Sequence, residues 1–287
     1  MFRDLISNAV QGRIPTHISM IRKVSTPSFF GSHPVFSLDQ AAGALDPEGS
    51  RTRVLHRLKH HLKTGRLKAV TRGVYAVVPP ETALAQVRPD PVMVAAALRP
   101  DAVFSHHTAL ELLGAAHSVW HHYTLYTASV RRPLKLRGVT LMFLAQPAHF
   151  REQKQLLGTQ QVERAGVLLR VTGPERTLVE GFRRPALAGG LEELVASASG
   201  FAVLDLALLG KILRAYGVAN LWAATGWFLE RFQSTFHVPD RFLSLCERRR
   251  PRSPQYLERG TRGGVLASRW NLILPEVLVS AGEPNER

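Results

Sequence analysis

The sequence predicts an α+β protein in two parts, a small basic unit of helices and a hairpin followed by a larger mixed α/β part. Three observations carry this. From Gly49 to Pro80 there are eight Lys and Arg and no acidic residue. Within that stretch the apolar spacing changes from helical to alternating. After residue 91, helix-like and strand-like segments are interspersed. A chain of 287 residues, 45% hydrophobic and 21% charged, has the composition of a folded protein and suits two modest domains better than one. The expected division is 1–80, with 1–32 an N-terminal extension, a Pro-bearing polar linker at 81–91, and a second domain at 92–287.

In the first part, Leu5, Ile6, Val10, Ile14, Ile18, Ile21 and Val24 suit short helices broken at Pro15 and stopped by Pro27. Ser37 with Gln40 three places on forms a capping box for a short helix ending at Leu45. Asp46–Gly49 is a turn, and Ser50 caps a helix from Arg51 to about Thr64. Its Val54, Leu55, Leu58 and Leu62 share one face, opposite Arg53, His56, Arg57, His60 and Lys63. Gly65 ends it. Leu67–Thr71 and Val74–Val78 then flank Arg72-Gly73 as a β-hairpin.

In the second part we expect helices at Pro91–Leu98 and near His107–Leu113, then strands at Tyr123–Ala128, Leu141–Leu144 and Val167–Val171. Helices follow at Pro174–Phe182, Gly190–Ser197, Leu204–Tyr216 and Ala219–Phe232, with a last strand at Arg269–Leu274. No internal repeat or low-complexity tract is present.

The net charge of +15 points to a polyanionic partner, nucleic acid first. Residues 1–80 hold 12 Lys and Arg against 4 Asp and Glu, so the excess is densest where a dedicated binding unit would put it. Cys246 is the only cysteine, which excludes internal disulfides and Cys-rich zinc sites. The first residues have no apolar signal-peptide core, and no apolar run approaches the ~18–20 residues of a membrane helix. A cytoplasmic protein without a membrane role is expected.

Short helix, turn, basic helix and hairpin, in that order, make a winged helix-turn-helix. A helix apolar on one side and donor-rich on the other fits the major groove of duplex DNA, its first residues meeting base edges. The candidate DNA-binding residues are Ser50, Arg51, Thr52, Arg53, His56, Arg57 and His60, with Lys59, Lys63, Arg66 and Lys68 placed for phosphates. Arg72 at the hairpin tip suits a minor groove. A second basic patch is read at Arg248, Arg249, Arg250, Arg252, Arg259 and Arg262, whose simplest reading is a solvated loop. The histidines His106, His107, His117, His121 and His122 have no metal-ligand spacing and read as partly buried positions around a turn. Ser105 and His106 lack a nucleophile elbow, and Glu192-Glu193 read as surface charges. No phosphate-binding loop, metal or cofactor is expected, and no catalytic residue.

Several stretches resemble the AbiEi antitoxins. The Gly65–Ala76 segment GRLKAVTRGVYA is similar to that family's G-x-L-x-x-x-x-x-G-V-Y wing. Pro100–Gly114, Val171–Val179 (VTGPERTLV), Gly189–Glu193 and Ser268–Leu272 are similar to its later motifs, so the resemblance spans roughly 35–278. Thr108 stands where that family usually has Ser, and Glu180 where it tends to have Asp. The resemblance implies an N-terminal winged helix that represses its own operon at promoter repeats. It also implies a C-terminal domain that counters a nucleotidyltransferase-like toxin encoded beside it. Two other classes are weighed. A winged-helix-guided nuclease-like enzyme needs clustered carboxylates, and the C-terminal part offers no clear D…ExK arrangement. A ligand-sensing transcriptional regulator would bind a small molecule in the second domain.

Overall fold

The computed structural model describes residues 24–150, 156–258 and 263–280. Helix α1 (Thr26–Ser32) carries Pro27 in its first turn with Ser25 as cap. Pro27 therefore opens a helix where the sequence reading had it stop one, because the first turn needs no amide from that residue. The helices read upstream from Leu5 to Ile21 lie outside the described residues. Strand β1 (Val35–Ser37) runs into α2 (Leu38–Leu45), whose Ser37–Gln40 capping box is formed in both directions. Helix α3 (Arg51–Lys63) starts at the Ser50 cap. Strands β2 (Leu67–Thr71) and β3 (Val74–Val77) turn at Arg72-Gly73, where Gly73 takes the positive φ of 76° that the tight turn needs.

The three strands pair antiparallel in the order β1-β3-β2. Phe29, Phe36, Leu45, Val54, Leu58 and Leu67 are buried between this sheet and the three helices. Val54 and Leu58 on α3 are fully buried, each contributing about 1.5–3 kcal/mol. That burial fixes which side of α3 faces out. The element order and sheet order are those of a winged helix.

Residues 81–90 hold turns, and Asp90 caps α4 (Pro91–Leu98), an all-round apolar helix. Val92–Ala95 and Ala97 pack on the outer face of the small sheet, in one core with Val35, Val74 and Ala76. Then come β4 (Val103–Phe104), α5 (His107–Leu112), β5 (His122–Tyr126), β6 (Leu134–Leu136), β7 (Val139–Leu144), β8 (Thr159–Arg164) and β9 (Val167–Thr172). They form a six-stranded sheet in the order β6-β7-β5-β4-β9-β8, with β4 parallel to β9 and β5 parallel to β7.

Helices α6 (Pro174–Arg183), α7 (Leu191–Ser199), α8 (Leu206–Tyr216), α9 (Ala219–Arg231) and α10 (Asp240–Arg248) build a second core. Strands β10 (Gln255–Tyr256), β11 (Val265–Ala267) and β12 (Leu272–Leu274) form a three-stranded sheet, and α11 (Glu276–Ser280) follows. The last strand starts at Leu272 and not at Arg269. Ser268–Trp270 is a 3-10 turn that drives the Trp270 ring into the core beside Gly226. Among the described residues no helix is long and apolar enough to cross a membrane.

Candidate functional site

The outward side of α3 follows from its buried side. Arg51, Thr52, Arg53, His56, Lys59, His60 and Lys63 are exposed and Arg57 half-exposed, with Ser50 and Arg66 exposed at the two ends. Gly49–Pro80 has no acid of its own, but α2 and the turn after it supply two. Asp39 pairs with Arg51 and Asp46 with Arg53, each at 3.1 Å. The Asp46 carboxylate is nearly buried, so it anchors Arg53 at the start of α3, whereas the exposed Arg51 pair is worth little. Arg57, Lys59, Lys63, Arg66 and Arg72 make no ion pair among the described residues. The structure thus gathers most of the expected residues onto one cationic surface, with the Arg72 tip exposed beside α2.

Lys68 leaves it, and His61 of α3 lies apart from it. Lys68 donates from Nζ to the carbonyls of Leu84 at 3.0 Å and Val87 at 2.8 Å, fastening the connecting segment to β2. Its ammonium is committed there, which corrects the phosphate role read from sequence. His61 turns inward, its ring 5.1 Å from that of Phe30. Burial lowers its pKa, and Arg66, His60 and Arg57 lower it further, so it adds no charge near neutral pH.

A second constellation lies between the large sheet and α6. Arg176 and Glu180 are one turn apart on α6 and both buried, with Nε to Oε1 at 2.7 Å. Glu180 also accepts from the Tyr126 hydroxyl at 3.0 Å and the Tyr216 hydroxyl at 2.9 Å. Arg176 donates to the Leu157 carbonyl and to Gln146 Oε1, and its guanidinium lies 4.2 Å from the Phe150 ring centroid. Burial and then the Glu180 charge raise both phenol pKa values, so Tyr126 and Tyr216 remain donors. Charge, donors and acceptors are matched inside the core, which is what a buried pair needs to be tolerated.

Next to it, the histidine group divides. His106 and His107 are buried, while His117, His121 and His122 are exposed. His106 sits at φ 54°, a left-handed value unusual for a non-glycine residue, and its Nδ1 shares a 3.0 Å hydrogen bond with Ser105 Oγ. Burial, then Arg184, Arg183 and Arg176, lower its pKa to about 3. No group of three or more metal-ligating side chains forms among the described residues. Glu193 corrects the sequence reading, for it is no surface charge. Its Oε1 accepts from the amides of His117 and Ser118 and from Ser197 Oγ, and lies 3.2 Å from His107 Nε2. Burial acts to raise its pKa, but these hydrogen bonds and His107 prevail and hold it at about 2.

Residues 101–228, from just before β4 to near the end of α9, match the family model of the AbiEi antitoxin C-terminal domain. The chain carries an AbiEi antitoxin domain. A solved structure, the RV2827C protein from Mycobacterium tuberculosis, is similar over 90% of this chain and 93% of that one, with a TM-score of 0.57 and 16% identity. At that identity the likeness speaks for the fold. The search of curated proteins gave no match.

Both the Arg176–Glu180 network and the His106 turn fall inside the AbiEi domain. Glu180 occupies the position where the resemblance led us to expect Asp, and its extra methylene still reaches two tyrosines. Beyond the matched stretch, the second basic patch is partly neutralised. Arg250 pairs with Glu247 at 2.9 Å, and Arg249 lies 5.1 Å from the Trp222 ring. Arg248 and Arg252 face the solvent side of α10 and its following loop without an ion pair among the described residues. Arg259 and Arg262 lie outside the described residues.

Proposed function

We propose that this protein is a DNA-binding antitoxin that represses its own operon through the winged helix and counters a nucleotidyltransferase-like toxin encoded beside it. Residues up to 80 form the reading unit, 81–91 connect it, and 92–287 carry the antitoxin part. The protein works in the cytoplasm, where DNA and toxin meet it. The observation that carries the DNA reading is the outward face of α3, where Arg57, Lys59 and Lys63 stand without carboxylate partners among the described residues. Such a face gains affinity by displacing counterions from phosphates, while Arg53 and Arg57 are the side chains suited to guanine edges.

Electrophoretic mobility shift on the duplex upstream of the reading frame tests this. A shift by the native chain, weakened by Arg57→Ala and by Arg53→Ala and steeply reduced by salt, is expected. A shift indifferent to both substitutions and to salt refutes it. The antitoxin half is tested by co-expression with the neighbouring toxin gene, where growth must recover only when this chain is present.

A further inference from the structure

We propose that Asp46, in the turn before α3, is a positioning residue that holds Arg53 to read one guanine of the operator. This rests on the DNA reading of α3 and names what the start of that helix recognises. Arg53 stands in the first turn of α3, the part of a recognition helix that meets base edges. Its Nη1 donates to Asp46 Oδ2 at 3.1 Å. The partners are unequal, for the Asp46 side chain is 10% exposed and the Arg53 side chain 67%. The carboxylate is the end set in the protein, and the guanidinium is the end presented outward.

The turn fixes that carboxylate. The Asp46 amide donates to the Ala42 carbonyl at 3.1 Å, where α2 ends, and the Asp46 carbonyl accepts from the Gly49 amide at 3.0 Å. Gly49 lies so close to the Asp46 side chain that a Cβ there would overlap the carboxylate. Position 49 must therefore lack a side chain for Asp46 to keep its place beside Arg53. The other arginines of α3 are held differently. Arg51 pairs with Asp39 through two exposed side chains, and Arg57 has no acid partner among the described residues.

The Arg53 guanidinium makes no other hydrogen bond among the described residues. With Nη1 taken by Asp46, the Nε and Nη2 hydrogens remain as a parallel pair of donors on one side of the group. That pair matches N7 and O6 of guanine in the major groove. The Asp46 bond also orders the long Arg53 side chain before DNA arrives, so less freedom is lost on contact and the donors meet one base pair in one geometry.

The test uses the full chain and the duplex upstream of the reading frame, with each G·C pair changed in turn to A·T. With native protein, one such change should weaken binding about 5- to 150-fold through loss of a single bidentate contact. Arg53→Ala should abolish that penalty while other base pairs keep theirs. Asp46→Ala and Gly49→Ala should each shrink it at the same base pair and leave the salt slope native, since no phosphate contact is removed. Asp46→Asn, which retains an oxygen for Nη1, should keep part of it, and Asp39→Asn should leave it whole. Gly49→Ala removes no polar group, so it decides the matter if Asp46→Ala folds poorly. A loosened helix start alone would weaken every sequence alike. The full penalty in folded Asp46→Ala or Gly49→Ala protein, or no base pair whose penalty depends on Arg53, overturns the proposal with the α3 reading intact. Absence of any shift by the native chain overturns both.

Discussion

Replacing Glu180 by Leu removes the acceptor on which three buried donors converge. Arg176 Nε, Tyr126 and Tyr216 reach the Glu180 carboxylate at 2.7, 3.0 and 2.9 Å, with the carboxylate 1% exposed. Breaking a buried ion pair from one side costs about 3–5 kcal/mol, because the remaining charge keeps its desolvation penalty. Two stranded hydroxyls add about 1–3 kcal/mol each where they cannot relax, and the buried leucine offsets part of that. With the hydroxyl cost and the leucine burial taken to cancel, a net loss of about 3–5 kcal/mol corresponds to a fall in Tm of about 6–20 °C at the 2–4 °C per kcal/mol typical of a unit of 150–250 residues. Near-UV circular dichroism on heating, with urea unfolding alongside, measures it. Arg176→Met combined with Glu180→Leu should recover part of the loss, since an apolar pair of similar volume is often tolerated. A single variant within about 1 kcal/mol of native, or a double variant no more stable than the single, refutes the view that this pair acts as a coupled charge in the core.

Stability should fall on acidification in a window set by His106 first. Its pKa drops from 6.5 unfolded to about 3 folded, so the unfolded state binds the extra proton. The stabilisation is complete above pH 6.5 and is lost as pH falls toward 3, by at most about 1.4 kcal/mol per pH unit for one group. Glu193, held at about 2 against 4.5, adds its loss only below about pH 4.5. Urea midpoints for native chain and His106→Asn should diverge between pH 4.5 and 6.5, and parallel curves there refute the assignment. Gly226→Ala should destabilise by about 1–3 kcal/mol or more on thermal melting, because a Cβ there would overlap the Trp270 ring. Lys63→Ala should reduce the salt slope of DNA binding by about 0.9, whereas Lys68→Ala should leave that slope unchanged. Equal effects from the two lysines would contradict the separation drawn from their hydrogen bonding.

Much of this fold was legible because local chemistry and tertiary packing agree. Ser37 with Gln40, Ser50 before Arg51 and Gly65 after Thr64 are caps whose partners lie within three or four residues, so they can be read along the chain. What could not be read depends on distant partners. Strand β4 is two residues long and exists because β5 and β9 bracket it. Strand β8, Thr159–Arg164, is polar because it is the sheet edge, and its tight turn through Ala165 and Gly166 at positive φ carries no Asn-Gly signal. Arg176 and Glu193 look like ordinary helix-surface charges by spacing. The large sheet and the segment between β7 and β8 bury Arg176, α5 and the loop after it cover Glu193, and no local pattern announces either. Lys68 shows the same limit at the proposed interface, since a lysine on a basic hairpin reads as a phosphate contact until a carbonyl sixteen residues away claims it.

The seam between the two parts bears on how the protein could couple its roles. Val35, Val74 and Ala76 present the outer face of the small sheet to Val92, Val94 and Ala95 of α4, all buried. That contact is a shared core, and the Lys68 clamp closes the connecting segment beside it. Charge inserted into this seam, as in Val94→Asp, must therefore either open the seam or bury a carboxylate without a partner. Opening takes from the hairpin the surface it rests on, and a buried carboxylate without a partner destabilises that surface. DNA affinity should weaken even though residue 94 lies on the opposite side of the small sheet from α3. The reasoning fails if Val94→Asp melts at the native temperature and binds the operator duplex with native affinity.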